Sequence, residues 1–302
     1  MKTTDVEHPS RVLRATHILR IRINDARLGP WRFSPTRRTE RLAEIRITPL
    51  EALKGAVGQH PGEDLQLRVF QYSSGSHRLP AAPGVWSNIP LEPGTELMAF
   101  CHNYISRVIE DLLGEDSCEQ ILPTKGNLDD VRLAVQAESA SLSAVAIVDL
   151  ALTHARALGY VFAEYLWAKL ADTSLRDLPT FEALMRLLET PELTLIARWS
   201  LLREVYAATV YSLRPSPEHV HRLALTLFHL LEVSKDPSVT DNIVQVFLPN
   251  LLGIQGGLPQ RNADDVFADA AEERSKVEAI LGRYQGSAST QTLLAWLRAG
   301  QA

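Results

Sequence analysis

The sequence predicts an α+β protein in two domains: a small antiparallel β-barrel in residues 1–125, followed by an all-α helical domain in residues 126–302. Three observations predict this arrangement. In the first part, short runs alternate apolar with polar residues, which is the period-2 pattern of half-buried strands. In the second part, apolar residues recur at every third or fourth position, as they do in amphipathic helices. A chain of 302 residues is also long enough for two domains, each with a core of its own.

Four runs predict the strands of the first domain, at residues 17–23, 43–47, 64–70 and 95–103. The first three have one polar face, and the fourth is more continuously apolar, as expected of a central strand. Proline and glycine cluster between the runs, where turns are expected, and residues 107–114 are expected to form a short helix over one end. Four or five short strands in about 110 residues are too few for an immunoglobulin sandwich. They are typical of a small, partly open barrel of the OB type.

The second of these strands lies in EIRITPLEALKG, which is followed by a Gly/Pro-rich loop, the run LQLRV and then LEPGTELMAF. This order resembles the OB-like barrels of the tissue-inhibitor-of-metalloproteinases and netrin type. In that family the second strand commonly runs into Leu-Lys-Gly, and a Pro-Gly turn commonly leads into the last apolar strand. Protease inhibition in the family depends on a cysteine at the mature N-terminus, whereas position 1 here is Met1 and the first cysteine is Cys101. The resemblance, which covers about a third of the chain, therefore implies the fold and not the inhibition.

Three helix starts in the second domain share one signature, an N-cap acceptor followed by proline: Thr190-Pro191, Ser216-Pro217 and Asp236-Pro237. The first residue of each pair can accept a hydrogen bond from a free backbone N–H. Proline is tolerated at the first helical position because its missing N–H would have no partner there. Helices are therefore expected over 191–213 and 217–233 and from 237 onward, and also in the segment that ends at Gly159, in 160–172, in 263–281 and in 289–298.

Leucines in two of the predicted helices repeat at a fixed offset. Leu184, Leu187 and Leu188 map onto Leu227, Leu230 and Leu231 at an offset of 43 residues. This offset lies within the roughly 40–47-residue period of HEAT and armadillo repeats. The helical domain is therefore expected to be a HEAT-like stack, with a non-repeating helical bundle as the open alternative.

The sequence contains no familiar catalytic motif. There is no G-x-S-x-G, no HExxH and no glycine-rich phosphate loop after a strand. His219 and His221 are two residues apart near a helix start, so they point to different sides of the helix and make a poor metal pair. The sequence therefore predicts a protein that is not an enzyme and has no cofactor or metal. An enzyme with an unrecognised site between the domains is the open alternative.

The segment LGPWRFSPTRR, residues 28–38, is the candidate binding site because it combines aromatic with basic side chains. In an OB fold, the loop between the first two strands uses such side chains to hold single-stranded nucleic acid. A contact with a protein partner is a second interpretation, and a loop that packs onto its own chain is a third. A pI near 6.0 argues against strong phosphate binding. The candidate residues are Trp31, Arg32, Phe33, Arg37 and Arg38.

The net charge of −5 is unevenly distributed along the chain. Residues 1–55 carry twelve Lys and Arg against six Asp and Glu, so the remainder is strongly acidic. A basic first part on an acidic body predicts either an anionic partner or charge contacts between the two domains.

The expected cellular location follows from the two cysteines and from the lack of long apolar segments. Cys101 and Cys118 are expected to be small buried residues, and a single bridge between them, which needs an oxidising compartment, is the alternative. The N-terminus has no apolar signal-like segment, and no window approaches about 18 uninterrupted apolar residues. We therefore expect a cytoplasmic protein without a membrane partner.

Together these patterns predict a binding or scaffolding protein that docks a protein partner. The helical surface and the 28–38 segment are the expected contacts, since stacked helices present broad surfaces rather than one catalytic pocket. An OB-type binder of single-stranded nucleic acid is the alternative function.

Overall fold

The structure is a computed structural model of the 302-residue chain. It describes residues 10–33, 39–58, 62–72, 86, 89–102, 107–114, 117–170, 177–212, 216–234, 236–254, 262–267, 271–284 and 287–299. Contacts between residues group the chain into two units that divide between Ser141 and Leu142. The first contains a curled antiparallel half-barrel sheet and the second is helical, so the predicted mixture of a β part and an α part is confirmed. The predicted domain boundary at residue 125 stays a prediction.

The strands that the structure describes in the first unit form one six-stranded antiparallel sheet. Strand β1 lies between β3 and β5, β4 pairs with β3, and β6 pairs with β5. The four predicted strands are all present, whereas β2 and β6 were not predicted. The strands are β1 (His17–Leu28), β2 (Arg32–Phe33), β3 (Thr39–Lys54), β4 (Leu65–Tyr72), β5 (Glu96–Cys101) and β6 (Cys118–Pro123).

Three bulges bend the long pair of strands β1 and β3. The register leaves Asn24 without an opposite residue on β3, and Leu50 and Leu53 without one on β1. A bulge bends its strand and increases the local twist, which curls the sheet. Strand β3 also continues through Pro49, although the alternation in the sequence ended at Ile47. The proline is tolerated because it lies beside a bulge and beyond the end of the β3–β4 ladder.

Gly55 explains the Leu-Lys-Gly that ends β3. Its φ of 76° lies in the left-handed region that favours glycine. A Cβ at this position would lie 2.5 Å from the imidazole of His17 and 2.6 Å from the carbonyl oxygen of Thr16. Where the chain leaves β3 it passes close to the start of β1. Only glycine fits there, because both the backbone conformation and the available space exclude a Cβ atom.

The core of the first unit lies on the inward face of the sheet. Alternate residues of β1, β3 and β4 supply it, and Trp86 is fully buried within it. The predicted helix at 107–114 is present as the shorter α2 (Ile109–Leu112), whose Ile109 and Leu112 join the same cluster. Two further helices of this unit, α1 (Arg11–Arg14) and α3 (Leu128–Ser139), contact each other.

Within the described residues of the second unit, the secondary-structure elements are helices joined by turns and short connections. Helices α4 and α6, α5 and α7, and α6 and α8 pack together in pairs. Leucines that carry the 43-residue offset are buried in α6 and α8. The helices are α4 (Ala144–Thr153), α5 (Tyr160–Leu170), α6 (Leu178–Glu189), α7 (Leu195–Ala207), α8 (Pro217–Val233), α9 (Pro237–Asn242), α10 (Leu248–Leu251), α11 (Ala263–Val266), α12 (Ala271–Gly282) and α13 (Ala288–Arg298).

Two of the three predicted proline-linked helix starts are confirmed, at Ser216 and Asp236, whose side chains accept backbone N–H groups of the first turn. The third is wrong. Thr190 is the residue that follows the end of α6, and residues after it form a turn in which Leu193 N donates to Thr190 O at 3.1 Å. Helix α7 begins four residues later, with Thr194 as its N-cap.

Replacing Thr194 by alanine is expected to lower the free energy of unfolding by about 1 kcal/mol. The substitution removes the acceptor for the Ala197 N–H and a hydrogen bond from the hydroxyl to Leu158 O. Thr190→Ala is the matched control, since its hydroxyl only donates to Arg186 O at 2.8 Å on the exposed surface, and we expect about 0.5 kcal/mol or less from it. Urea denaturation followed by circular dichroism measures both. An equal or larger loss for Thr190→Ala would show that the cap is misplaced.

Candidate partner-binding surface

Large hydrophobic side chains are exposed together at one end of the sheet. Phe33 is 73% exposed and Trp31 is 46% exposed, and three neighbours share this exposure. Among the described residues of the first unit, Val108 is the one exposed large hydrophobic side chain elsewhere. We name this group the hydrophobic end of the sheet; it consists of Leu28, Trp31, Phe33, Leu42 and Phe70.

Strand pairing places these side chains at the same end of the sheet, on both of its faces. Leu42 is directly opposite Phe70 on β4, and Leu42 O accepts the Gly29 N–H at 2.8 Å. Leu28 lies opposite Ala43 and Phe33 lies opposite Thr39. Successive residues of a strand point to opposite faces of the sheet. Leu28 and Phe33 therefore share the inward face with Ala43, whereas Leu42 and Phe70 are on the outward face. Leu28, Phe33, Leu42 and Phe70 therefore fall within a few rungs, where the core cluster ends at Ala43 and Val69.

A chain of polar contacts fixes Trp31 against the sheet. The guanidinium of Arg41 lies 4.4 Å from the centre of the Trp31 ring, close enough for a cation–π interaction. Arg41 Nε donates to Gln71 Oε1 at 2.7 Å, and Gln71 Nε2 donates to Ile89 O at 2.8 Å. One face of the indole is thus held by Arg41 while much of the ring stays accessible.

Three of the five predicted site residues lie within the described part of the chain. Trp31, Arg32 and Phe33 are exposed and adjacent, and Arg32 is opposite Glu40 on β3. Arg37 and Arg38 lie outside the described residues.

Sequence reasoning missed Arg41 and Gln71, although a signal was present. Both continue the inward-facing alternation of their strands, Arg41 before Ala43 and Gln71 after Val69. A polar residue at an inward position marks the end of the core or a specific polar contact. The strands were predicted to be shorter than they are, so these positions were not assigned to a face.

Basic side chains of the sheet and of α3 are paired with carboxylates of the same unit. Hydrogen bonds from Arg22 and Arg20 lower the pKa of the Glu96 carboxyl. Arg20, Arg22 and Lys54 belong to residues 1–55 and pair with carboxylates outside that segment, whereas Arg68 and Arg132 pair with carboxylates inside it. The pairs are Arg20–Glu96 at 2.6 Å, Arg22–Glu96 at 2.8 Å, Arg68–Glu44 at 3.0 Å, Arg132–Glu51 at 2.7 Å and Lys54–Glu138 at 2.9 Å.

The helical unit has an exposed hydrophobic group of its own, at the starts of α5 and α7. The hydroxyl of Thr194 donates to Leu158 O, which places these two helix starts side by side. Tyr160, Leu195 and Ile196 are exposed there. We name these three residues the α5–α7 patch.

The described residues offer little for metal or membrane chemistry. Within them, no group of three or more His, Cys, Asp and Glu side chains is arranged to hold a metal ion. The His219 ring packs against Phe181 with 4.6 Å between centres, and His221 Nδ1 contacts Val266 O, so the two histidines have separate structural roles. Among the helices that the structure describes, none combines the length and the apolar character needed to cross a bilayer.

Comparison with protein-family models, with curated proteins and with solved structures finds no match to this chain. The resemblance to netrin-type barrels therefore rests on the sequence motifs alone.

Proposed function

We propose that this chain is a non-enzymatic binding or scaffolding protein, with an OB-like barrel and a HEAT-like or bundled helical region, that docks a protein partner. The observation that carries the proposal is the exposure of large hydrophobic side chains on both faces of the hydrophobic end of the sheet. Groups of exposed apolar side chains, as distinct from scattered single ones, typically mark an interaction site. Trp, Tyr, Phe and Arg also supply most of the binding free energy of protein interfaces.

Charge favours a protein partner over a nucleic acid. Affinity for nucleic acid comes largely from Lys and Arg side chains that are free to neutralise phosphates. On the outward face of the sheet, Arg20, Arg22 and Arg68 are bound to carboxylates instead. The α5–α7 patch is a second candidate contact for the protein partner, and its three exposed members are uncharged.

Phe33→Ala is expected to weaken capture of the partner at least tenfold, since truncating an exposed aromatic anchor costs about 1.4 kcal/mol or more of binding free energy. The full-length chain is immobilised, and proteins captured from a native lysate are quantified by mass spectrometry. Val108→Ala is the matched control, because Val108 is an exposed hydrophobic residue of the same unit outside the hydrophobic end. Circular dichroism verifies that both variants are folded.

The proposal requires that some captured proteins decrease with Phe33→Ala and with Trp31→Ala but not with Val108→Ala. Capture of the same proteins in the same amounts by the unsubstituted chain and by all three variants would contradict the proposal. A fluorescent single-stranded oligonucleotide, titrated at about 50 mM salt, tests the alternative. Salt-sensitive binding that Trp31→Ala weakens would replace the protein partner by a nucleic acid, because the exposed ring could then stack on a base.

A further inference from the structure

The two cysteines face each other across the strands β5 and β6. Cys101 and Cys118 are opposite each other in the register of these strands, next to a bulge that leaves Glu119 without an opposite residue. They are free thiols, 0% and 2% exposed, and both belong to the core cluster of the sheet. Residues that are directly opposite in an antiparallel pair project to the same face, so the two side chains are neighbours.

The backbone hydrogen bonds define what kind of pair this is. Cys101 O accepts the Thr16 N–H at 2.8 Å, so the backbone polar groups of Cys101 point to β1 rather than to β6. Pairing with β6 resumes at the next residue, where His102 N donates to Ser117 O at 2.7 Å. Cys101 and Cys118 are therefore a non-hydrogen-bonded pair beside a bulge. In a regular ladder the Cα atoms of such a pair are about 4.5 Å apart and the side chains are closest. A disulfide spans Cα separations of roughly 4.4–6.8 Å.

We propose that Cys101 and Cys118 are a reversible disulfide-forming pair, oxidised by a low-molecular-weight disulfide and reopened by thiols. The bond fastens β6 to β5 and closes the segment 102–117, which carries α2. This modification is independent of the proposed partner binding.

The reaction balances with one disulfide, such as glutathione disulfide, as the oxidant. The Cys118 thiolate attacks one glutathione sulfur, a mixed disulfide forms and a glutathione thiolate leaves. The Cys101 thiolate then attacks the Cys118 sulfur, and the second glutathione thiolate leaves. The two protein thiols lose two electrons, glutathione disulfide gains them, and the two protons end on the two glutathione thiols.

Reactivity is set by the surroundings of the thiols. The hydrogen bond with Cys101 and burial among apolar side chains raise the pKa of the Cys118 thiol. Because the thiolate is the attacking species, oxidation is expected to be slow at neutral pH. Its rate rises about tenfold per pH unit while the pH stays below the pKa of the attacking thiol.

The purified full-length chain is equilibrated in glutathione buffers of graded potential, denatured in acid and alkylated. Digestion without reduction, followed by mass spectrometry, then maps the cysteines. We expect one peptide pair linked through Cys101 and Cys118, with loss of both alkylated forms, and complete reversal by dithiothreitol. Full alkylation of both cysteines at the most oxidising potential, or only glutathione adducts and links between chains, would overturn the proposal.

A thermal measurement tests the consequence for the fold. Closing a loop of this size is expected to raise the Tm of the sheet-containing unit by roughly 5–10 °C. Cys118→Ala, which cannot form the bond, is expected to show the same Tm in oxidising and reducing buffer. An equal oxidant-dependent rise in that variant would contradict the assignment. If the variant does not fold, the peptide map of the unsubstituted chain decides alone.

Discussion

Ile45→Ala is expected to lower the free energy of unfolding of the sheet-containing unit by about 3 kcal/mol. Ile45 is fully buried near the middle of β3. It lies opposite Ala26 on β1 and Leu67 on β4, so its rung joins three strands. The truncation removes apolar contacts and leaves a cavity, and hydrogen-bonded strands on both sides limit how far the cavity can collapse.

Urea denaturation followed by far-ultraviolet circular dichroism measures the change. Ile196→Ala is the matched control, since it is the same substitution at a helical position that is 63% exposed, and we expect a change within about 0.5 kcal/mol. A loss below about 1 kcal/mol for Ile45→Ala would mean that the inward face of the curled sheet is not the packed core of this unit.

The strands that alternate strictly could be predicted from the sequence, because burial on one face dictates the pattern. Leu19, Ile21 and Ile23 are inward and buried, with Arg20 and Arg22 between them facing outward. The short strand β6 could not be predicted in the same way. It has a mixed pattern of buried and exposed residues, and its extended form depends on pairing with β5.

Helix starts were predictable only where local chemistry is decisive. Ser216 and Asp236 cap their helices as expected, with backbone N–H groups at 3.4 Å and 2.8 Å. Thr190 carries the same local signal but stands directly after α6, so the turn that leads to Thr194 takes its place. The hydroxyl of Thr194, four residues later, accepts the N–H of the first turn instead, and Leu193 is buried in the turn. Helix α7 therefore begins after Thr194 and not after Thr190.

The candidate site was predictable in composition and not in arrangement. Aromatic and basic residues in one loop pointed to Trp31 and Phe33, which are exposed. Strand register, which a single sequence does not reveal, adds Leu42 and Phe70 at the same end of the sheet, on its other face. The pairing of the arginines was equally hidden, because a partner such as Glu96 lies far along the chain.

Arg222→Met is expected to lower the free energy of unfolding of the helical unit by about 2 kcal/mol. Arg222 on α8 donates to Glu189 at 2.6 and 2.9 Å and to Glu182 at 2.7 Å, and both carboxylates belong to α6. The side chains of Arg222 and Glu189 are only 17% and 24% exposed. Removal of the guanidinium therefore leaves a half-buried carboxylate without its cation, which costs more than the loss of an exposed ion pair.

Arg203→Met provides the matched control. Arg203 pairs with Glu204 at 2.9 Å but is 57% exposed, so its loss is expected to change stability by about 0.5 kcal/mol or less. In the double variant Arg222→Met/Glu189→Leu no carboxylate remains at position 189, and the total loss is expected to be smaller than the sum of the single losses by about 1 kcal/mol. Strict additivity would show that the two side chains are not coupled.

The pH dependence separates the ion pair from simple packing of the Arg222 side chain. Burial opposes ionisation of Glu189, but hydrogen bonds from Arg222 and Thr226 outweigh it and lower the pKa of the carboxyl. A lowered folded-state pKa contributes stability that is complete above the ordinary value of 4.5 and is lost as the pH falls through the folded value. The difference in unfolding free energy between the unsubstituted chain and Arg222→Met should therefore be full at pH 7, shrink as the pH falls, and reach its smallest value once the pH is below the lowered folded-state pKa of Glu189. A difference that stays constant to about pH 3 would assign the effect to the methylene groups of Arg222, because their packing does not titrate.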